Sequence, residues 1–322
     1  MLSEFRRESG AVLDALLTQS LTSLIAVGLV TLEEVTIDGT KVQARAGRGS
    51  MAQGKKLTHI EAVVAARVAA LRRELEQDAG AAERRRQERA LRAAEEQAAR
   101  VKRAAEQLAE LEREKAERAK RHAKEEAAKS PPAVSSSDPE VRLMRMADGA
   151  TRPAWNVQVA TSGGFVVTIE PTDRRNDSGL ARELVEQVRR HCGRAPSRLL
   201  ADTTAMTQAE IVDFAQGCPD LRVYSPPPTE RAAVSPGTVR NRRYQRRHEP
   251  PALSEWRTRM ASEDGTTVYR RRKLTEHVHA KIKNRGFGRM PVHGIAKVRV
   301  VCLLHALAHN LLHAHRLRAV AA

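Results

Sequence analysis

The run Tyr269-Arg270-Arg271-Arg272-Lys273-Leu274-Thr275-Glu276-His277-Val278-His279-Ala280-Lys281-Ile282-Lys283 holds one acid, Glu276, among six Lys and Arg. Read as one helix, it sets Tyr269, Arg272, Glu276 and Lys283 near a single face, because steps of 3, 4 and 7 residues match the helical period. A lone acid among bases is most often an ion-pair partner. Aligned with Arg272 and Lys283, it is also placed to hold a metal ion while its neighbours hold phosphates.

Two more acids close short apolar runs. Val35-Thr36-Ile37 reads as a strand ending at Asp38, before Gly39-Thr40. Arg198-Leu199-Leu200-Ala201 reads as a buried strand ending at Asp202, before Thr203-Thr204. Carboxylates at strand ends can converge on a divalent cation, which takes hard oxygen ligands. Asp is equally a common capping and strand-end residue, so neither acid is diagnostic alone.

Together these residues carry a resemblance. Tyr269, two residues, Arg272, three residues, Glu276, six residues, Lys283 resembles the Tyr-Arg-Glu-Lys signature of insertion-sequence DDE transposases. Asp38-Gly39-Thr40-Lys41 is similar to that family's first-aspartate segment, and Leu200-Ala201-Asp202 to its second-aspartate strand. Pro153-Ala154-Trp155-Asn156-Val157-Gln158 resembles its Pro-Ala-Tyr-Asn-x-Gln strand. Asn284-Arg285-Gly286-Phe287 and Ala308-His309-Asn310-Leu311 resemble its tail.

The resemblance implies an α/β fold: a ribonuclease-H-like mixed sheet with flanking helices and a long, coiled-coil-like helical insertion. It implies Asp38, Asp202 and Glu276 as a catalytic metal triad holding two Mg2+ or Mn2+ ions, which two-metal sites set about 3.5–4 Å apart. Tyr269, Arg272 and Lys283 would contact DNA phosphates. The partners implied are double-stranded DNA, as element ends and as target, and a second copy of the chain, since two ends must be paired. A bacterial cytoplasmic, nucleoid-associated location follows from the same resemblance. The expected division is residues 1–34 as a helical remnant of an N-terminal DNA-binding domain, 35–55 as the start of the catalytic domain, 56–130 as the insertion and 138–322 as the remainder. Family members usually begin with such a domain, so the chain is expected to be a shortened reading of one.

Composition agrees with a polyanionic partner. The 322 residues carry a formal charge of +17, with a pI near 10.5. Residues 229–322 contribute 20 basic and 6 acidic side chains. Arg242, Arg243, Arg246 and Arg247, with Arg240 and Tyr244, read either as a DNA-backbone contact with one stacking residue or as a solvated loop. Three cysteines without a CxxC exclude a disulfide scaffold and a four-Cys zinc site, and suit a reducing compartment. The longest uncharged run, Ala15 to Leu32, is too polar for a membrane span. Leu13, Leu16, Leu17, Leu21 and Leu24, at and before its start, recur at helical spacing and predict one amphipathic helix.

From Leu57 to Lys129 the chain is nearly all Ala, Glu, Arg, Lys, Gln and Leu, the strong helix formers. Leu91, Ala94, Ala98, Val101, Ala105 and Leu108 form a heptad seam, and Asp78-Ala79-Gly80 breaks the run into two helices that can pair. Ser130-Pro131-Pro132 ends the helix, and 133–139 reads as a linker. Beyond it the texture is α/β. Strands 155–160 and 165–170 are joined at Ser162-Gly163-Gly164. A helix capped by Asp177-Ser178 runs to Gly193, a helix spans 207–215, a strand 221–224, and a terminal helix 295–318.

On that terminal helix Cys302, His305, His309 and His313 have ligand-like spacing, but leucines separate them, and core histidines are the better reading. Two other functions stay open at this level. One is a catalytically inactive DNA-binding coiled-coil protein or decayed transposase remnant; the other is a ribonuclease-H-like nuclease without strand transfer.

Overall fold

Two glycines in left-handed conformation, Gly163 (φ 58°) and Gly164 (φ 83°), turn the chain between β5 (Thr151–Ser162) and β6 (Phe165–Thr172). Only glycine takes such a pair freely, and the twist of this turn matches that of an antiparallel ribbon. The two strands pair antiparallel, with an irregularity at Ala160/Thr161. Both run well beyond the sequence expectation, because the whole apolar stretch on each side of the turn is buried.

The computed structural model describes residue 5 and residues 8–76, 81–121, 130–228 and 248–321. The arginine cluster Arg240, Arg242, Arg243, Arg246 and Arg247, with Tyr244, lies outside the described residues. The chain divides into two compact units. The first comprises Met1–Val42, Asn156–Arg289 and Ala296–Ala322, and the second Gln43–Trp155 and Met290–Ile295.

The first unit is a curled mixed sheet with helices packed on it. Its further strands are β1 (Glu34–Gln43), β7 (Arg198–Ala201) and β8 (Arg222–Tyr224), and the order is β6-β5-β1-β7-β8. β7 pairs parallel to both β1 and β8. Parallel neighbours need crossovers. Here α4 (Ala181–Cys192) joins β6 to β7, and α5 (Gln208–Gly217) joins β7 to β8. Thr207 and Glu210 start α5 with a complete capping box. Val35, Ile37, Val157, Val159, Leu199 and Leu200 fill the sheet's core.

Two expectations change here. β1 does not stop at Asp38 but continues through Gly39 to Gln43, so Asp38 sits inside a strand. The helix after β6 is not capped by Asp177 and Ser178. It starts at Ala181, with Leu180 at the N-cap and no side-chain cap, because Asp177 is committed elsewhere.

Helix α1 (Gly10–Ala26) buries Leu13, Leu17, Leu21 and Leu24, leaving Leu16 exposed. The C-terminal α9 (Ile295–Ala321) is the one described helix long and apolar enough, by length and composition, to cross a membrane. Within the first unit it buries Val300, Cys302, Leu303 and Ala306. Arg299 on it pairs with Asp14 of α1 and Glu170 of β6. Its histidines serve as packing and hydrogen-bonding groups: His309 Nε2 lies 2.9 Å from the Gly164 carbonyl, and His305 meets Phe287 edge-on. Cys192, Cys218 and Cys302 are free.

The second unit contains the helical rod as a hairpin, α2 (Gly54–Glu76) against α3 (Ala81–Arg121). Ala94, Val101 and Leu108 of the seam are buried, and Ala104 rather than Ala105 goes fully inside. With Leu57, Val64, Ala52 and Val134 most of these make a continuous apolar cluster, so the seam is spent on its own hairpin partner. Arg72 and Glu95 bridge the two helices at 2.8 Å in an exposed position, worth well under about 1 kcal/mol.

The stretch expected as a linker contributes β3 (Val134–Ser135), paired antiparallel with β2 (Met51–Ala52), and a buried acid, Asp138. Short β4 (Arg142–Arg145) pairs antiparallel with residues 151–154.

Asp138 carries a pH prediction. Burial raises its pKa from 3.8 to about 6; the Gly294 N–H, donated to Oδ2 at 3.1 Å, opposes this, as does Arg100, and Glu140 adds to it. His293 Nδ1 lies 3.6 Å away. The fold therefore prefers the protonated acid. Stability is greatest below the ordinary carboxylate range and falls as pH rises through about 6, by roughly 2–3 kcal/mol. In melting profiles between pH 4 and 7, Asp138→Asn is expected to remove that decline. An unchanged slope would place its origin elsewhere.

Candidate active site

The register of β1 on β7 builds the site's floor. Ile37 stands opposite Ala201 in this parallel pair, so the next residue on each strand, Asp38 and Asp202, comes level on neighbouring strands. Asp202 leaves β7 at its C-terminal end. Its Oδ1 accepts the Thr203 N–H at 2.8 Å, and its carbonyl accepts from Ala205 N–H and Ser225 Oγ. Thr203 thus secures the carboxylate through its backbone.

The basic run covers this floor, but not as one helix. Following α6 (Pro251–Ala261), it divides into α7 (Glu263–Arg270) and α8 (Lys273–Lys283), joined by a tightened turn. Within it Arg271, Arg272, Leu274 and Thr275 N–H groups bond three residues back, to Val268, Tyr269, Arg271 and Arg272 carbonyls. At this turn Arg272 is drawn inward to carboxylates in β1 and α8. Its guanidinium lies 3.6 Å from Asp38 Oδ2 and 3.4 Å from Glu276 Oε1, with its Cζ 5.9 Å from the centroid of the Tyr269 ring. α8 itself is held down by Val278 and Ile282 and by a 2.7 Å bond between Thr275 Oγ1 and Thr161 Oγ1 of β5.

The structure therefore gathers Tyr269, Arg272, Glu276 and Lys283 round Asp38 and Asp202. Burial raises the pKa of Asp38 to about 6. Arg272 opposes the shift, and the charges of Asp177, Asp202 and Glu276, in that order, add to it. Burial lowers the Lys283 pKa, and Asp38 resists that. Burial raises the Tyr269 pKa, with Arg272 opposing.

Two residues beyond the sequence expectation belong to this neighbourhood. His279 Nδ1 lies 3.6 Å from Asp38 Oδ2. Burial, then Lys283 and Arg272, hold its pKa near 4, so the imidazole is neutral, and its buried Nε2 has no partner among the described residues. Its position, three residues after Glu276 and four before Lys283, was the available signal. Asp177 is the other. Its Oδ1 accepts from Asn156 Nδ2 at 2.7 Å and Gln158 Nε2 at 2.5 Å. Buried Asn and Gln at alternate positions of an otherwise apolar strand were the signal for it.

Among the described residues no three of His, Cys, Asp and Glu converge closely enough to hold a metal ion; the Arg272 guanidinium reaches toward both Asp38 and Glu276. The donor chemistry nevertheless fits a divalent cation. All the acids offer hard oxygens, and their mutual repulsion at Asp38 is what a cation relieves.

A family model described as "Transposase DDE domain" matches residues 148–311, just over half of the chain. The match takes in Asp202, Glu276 and Asp177; Asp38 and the helical hairpin lie outside it. No match was found among curated proteins or among solved structures.

Proposed function

The chain belongs to the transposase DDE domain family, and from that premise we propose that it cuts DNA at the ends of an insertion sequence and joins those ends to target DNA. The observation that carries this reading is the level placement of Asp38 in β1 and Asp202 just past the end of β7, with the charge of Glu276 in α8 bearing on Asp38. In this reading the catalytic domain is ribonuclease-H-like, formed by residues 35–55 and 138–322, with 56–130 inserted. Numbered without β2, β3 and β4, the order β6-β5-β1-β7-β8 becomes 3-2-1-4-5, with strands 1, 4 and 5 parallel.

Asp38, Asp202 and Glu276 would hold the divalent cations, Mg2+ or Mn2+. When bound, these supply activation of the attacking oxygen and stabilisation of the leaving one. The chain's own residues do the rest. Phosphoryl transfer needs positioning and charge neutralisation more than covalent help. Arg272 and Lys283 supply positive charge where the scissile phosphate must approach two buried-edge carboxylates. The Tyr269 ring, beside the Arg272 guanidinium, orients that charge. The net charge of +17 draws DNA from solution, in the bacterial cytoplasm and with two copies pairing two ends.

The test begins with the DNA flanking the gene, which supplies the terminal repeats. Labelled duplexes carrying those ends, with plasmid target and Mg2+, are expected to give joined products. Nicking without joining would leave a nuclease, and neither reaction would leave a DNA-binding remnant.

A further inference from the structure

One stripe along α3 changes sign. Arg85, Arg89, Arg92, Glu96 and Arg103 follow one another by steps of 4, 3, 4 and 7, so they share a face of the helix. The same stripe continues as Glu110, Glu114 and Glu117. It lies opposite Ala94, Val101 and Leu108, the buried side of the helix, and Arg85, Arg89 and Arg92 are exposed.

The acids of the stripe are already occupied. Glu96 pairs with Arg100, Glu110 with Arg113, Glu114 with Arg118 and Glu117 with Lys120. Among the described residues no acid pairs with Arg85, Arg89, Arg92 or Arg103. Glu88 flanks them, and Glu95 is bonded to Arg72 of α2. Residues 84–103 hold 8 basic and 3 acidic side chains, whereas residues 104–121 hold 5 of each. A solvated helix of mixed sign accounts for the second count and not for the first. Like charges four residues apart, as at Arg85 and Arg89, disfavour the helix that carries them. Packing does not account for this half either. Among the described residues of 65–97, Ala94 is the one buried apolar side chain, and the hairpin's apolar cluster lies nearer β2 and β3, with Ala52, Leu57 and Val134.

We propose that Arg85, Arg89 and Arg92, with Arg103 behind them, form a contact for the backbone of duplex DNA, which makes the inserted hairpin a DNA-binding arm. A polyanion answers cations that no described acid neutralises, and the guanidinium fork matches phosphate. From Arg85 to Arg103 the helix rises about 27 Å at ~1.5 Å per residue, the axial length of about eight base pairs. A second copy of α3 laid antiparallel would set these arginines against Glu110, Glu114 and Glu117, but those acids have partners within their own helix. The arm takes from the reading above only DNA as the partner and none of the cleavage chemistry.

The experiment measures binding of the full chain to an arbitrary duplex in EDTA, by fluorescence anisotropy at salt from about 50 to 200 mM. Two triple variants remove the same charge from the same helix: Arg85→Gln/Arg89→Gln/Arg92→Gln and Arg113→Gln/Arg118→Gln/Lys120→Gln. The first should flatten the slope of log affinity against log salt by about 2–3, near 0.9 per phosphate contact, and weaken binding at least about tenfold. The second should leave the slope within about 0.5 of wild type. Lysine at positions 85, 89 and 92 restores the charge and should restore the slope. All three first-variant side chains are exposed, so its melting temperature should match wild type. An unchanged slope in the first variant overturns the arm, and the proposed function stands if wild type still binds and cuts DNA. Equal flattening in both variants overturns it in favour of net charge alone. Weakened self-association in sedimentation, with the slope unchanged, gives the stripe to a second copy instead. If wild type binds no duplex, the arm and the proposed function both fail.

Discussion

Asp202→Asn is expected to lower DNA strand cleavage by at least about 10³-fold, or ~4 kcal/mol of barrier, while leaving DNA affinity within about twofold. The substitution changes charge and little else. The introduced amide keeps an oxygen where Oδ1 accepts the Thr203 N–H, and the backbone bonds from Ala205 and Ser225 to the residue-202 carbonyl are untouched. The floor of the site should therefore persist. What disappears is a negative charge level with Asp38, where the proposed cations would be held. Affinity for DNA rests on the basic surface and gains slightly from one fewer acid. Plasmid nicking in Mg2+, with binding measured in parallel at fixed salt, separates the two effects. Retained nicking would remove Asp202 from the chemistry. Equal loss of nicking and binding would make it a structural residue.

The same geometry shows why some of the site is legible in the sequence and some is not. An acid at the end of a three-residue apolar run, Leu199 to Ala201, marks Asp202, because a buried parallel strand reads as continuous hydrophobicity. Its level match with Asp38 is a matter of register between segments far apart in the chain, and nothing local encodes that. The spacing from Tyr269 to Lys283 picks out residues that the structure brings near Asp38 but assumes one helix. The break at Arg271–Arg272 follows from where Arg272's partners lie, in β1 and in α8, which is long-range information.

Asp177 illustrates a different limit. An Asp before a helix is an ordinary capping signal, and the local rule competes with two amides 19 and 21 residues upstream in sequence. The tertiary bonds win, and the helix starts without its cap. The hairpin of the rod was the easiest element to read. Its seam, its break and its partner all lie within one contiguous stretch, so local periodicity carries most of the answer.

Asn310→Ala is expected to destabilise the first unit by about 2–4 kcal/mol, lowering its melting temperature by about 5–15 °C. Among the described residues β6 pairs only with β5, so its other edge exposes backbone groups that need partners. The Asn310 amide of α9 imitates a peptide there: Oδ1 accepts the Val166 N–H at 2.8 Å and Nδ2 donates to the Val166 carbonyl at 2.8 Å. Val166 is fully buried and Asn310 is 1 % exposed, so water cannot replace either bond without entering the core. Alanine leaves a donor and an acceptor unmade, at about 1–3 kcal/mol each, and also opens a small cavity. Asn310→Asp isolates the polar part. It keeps the volume and the bond from Val166 N–H, but sets an oxygen against the Val166 carbonyl in a buried place, and should cost at least as much near pH 7. Because a protonated carboxyl can donate to that carbonyl, the Asn310→Asp variant should regain stability as pH falls, and the Asn310→Ala variant should not. Thermal melts of the two variants across pH 4–7 test this. Parallel pH profiles would mean that the amide's packing, not its two hydrogen bonds, fastens α9 to the edge of the sheet.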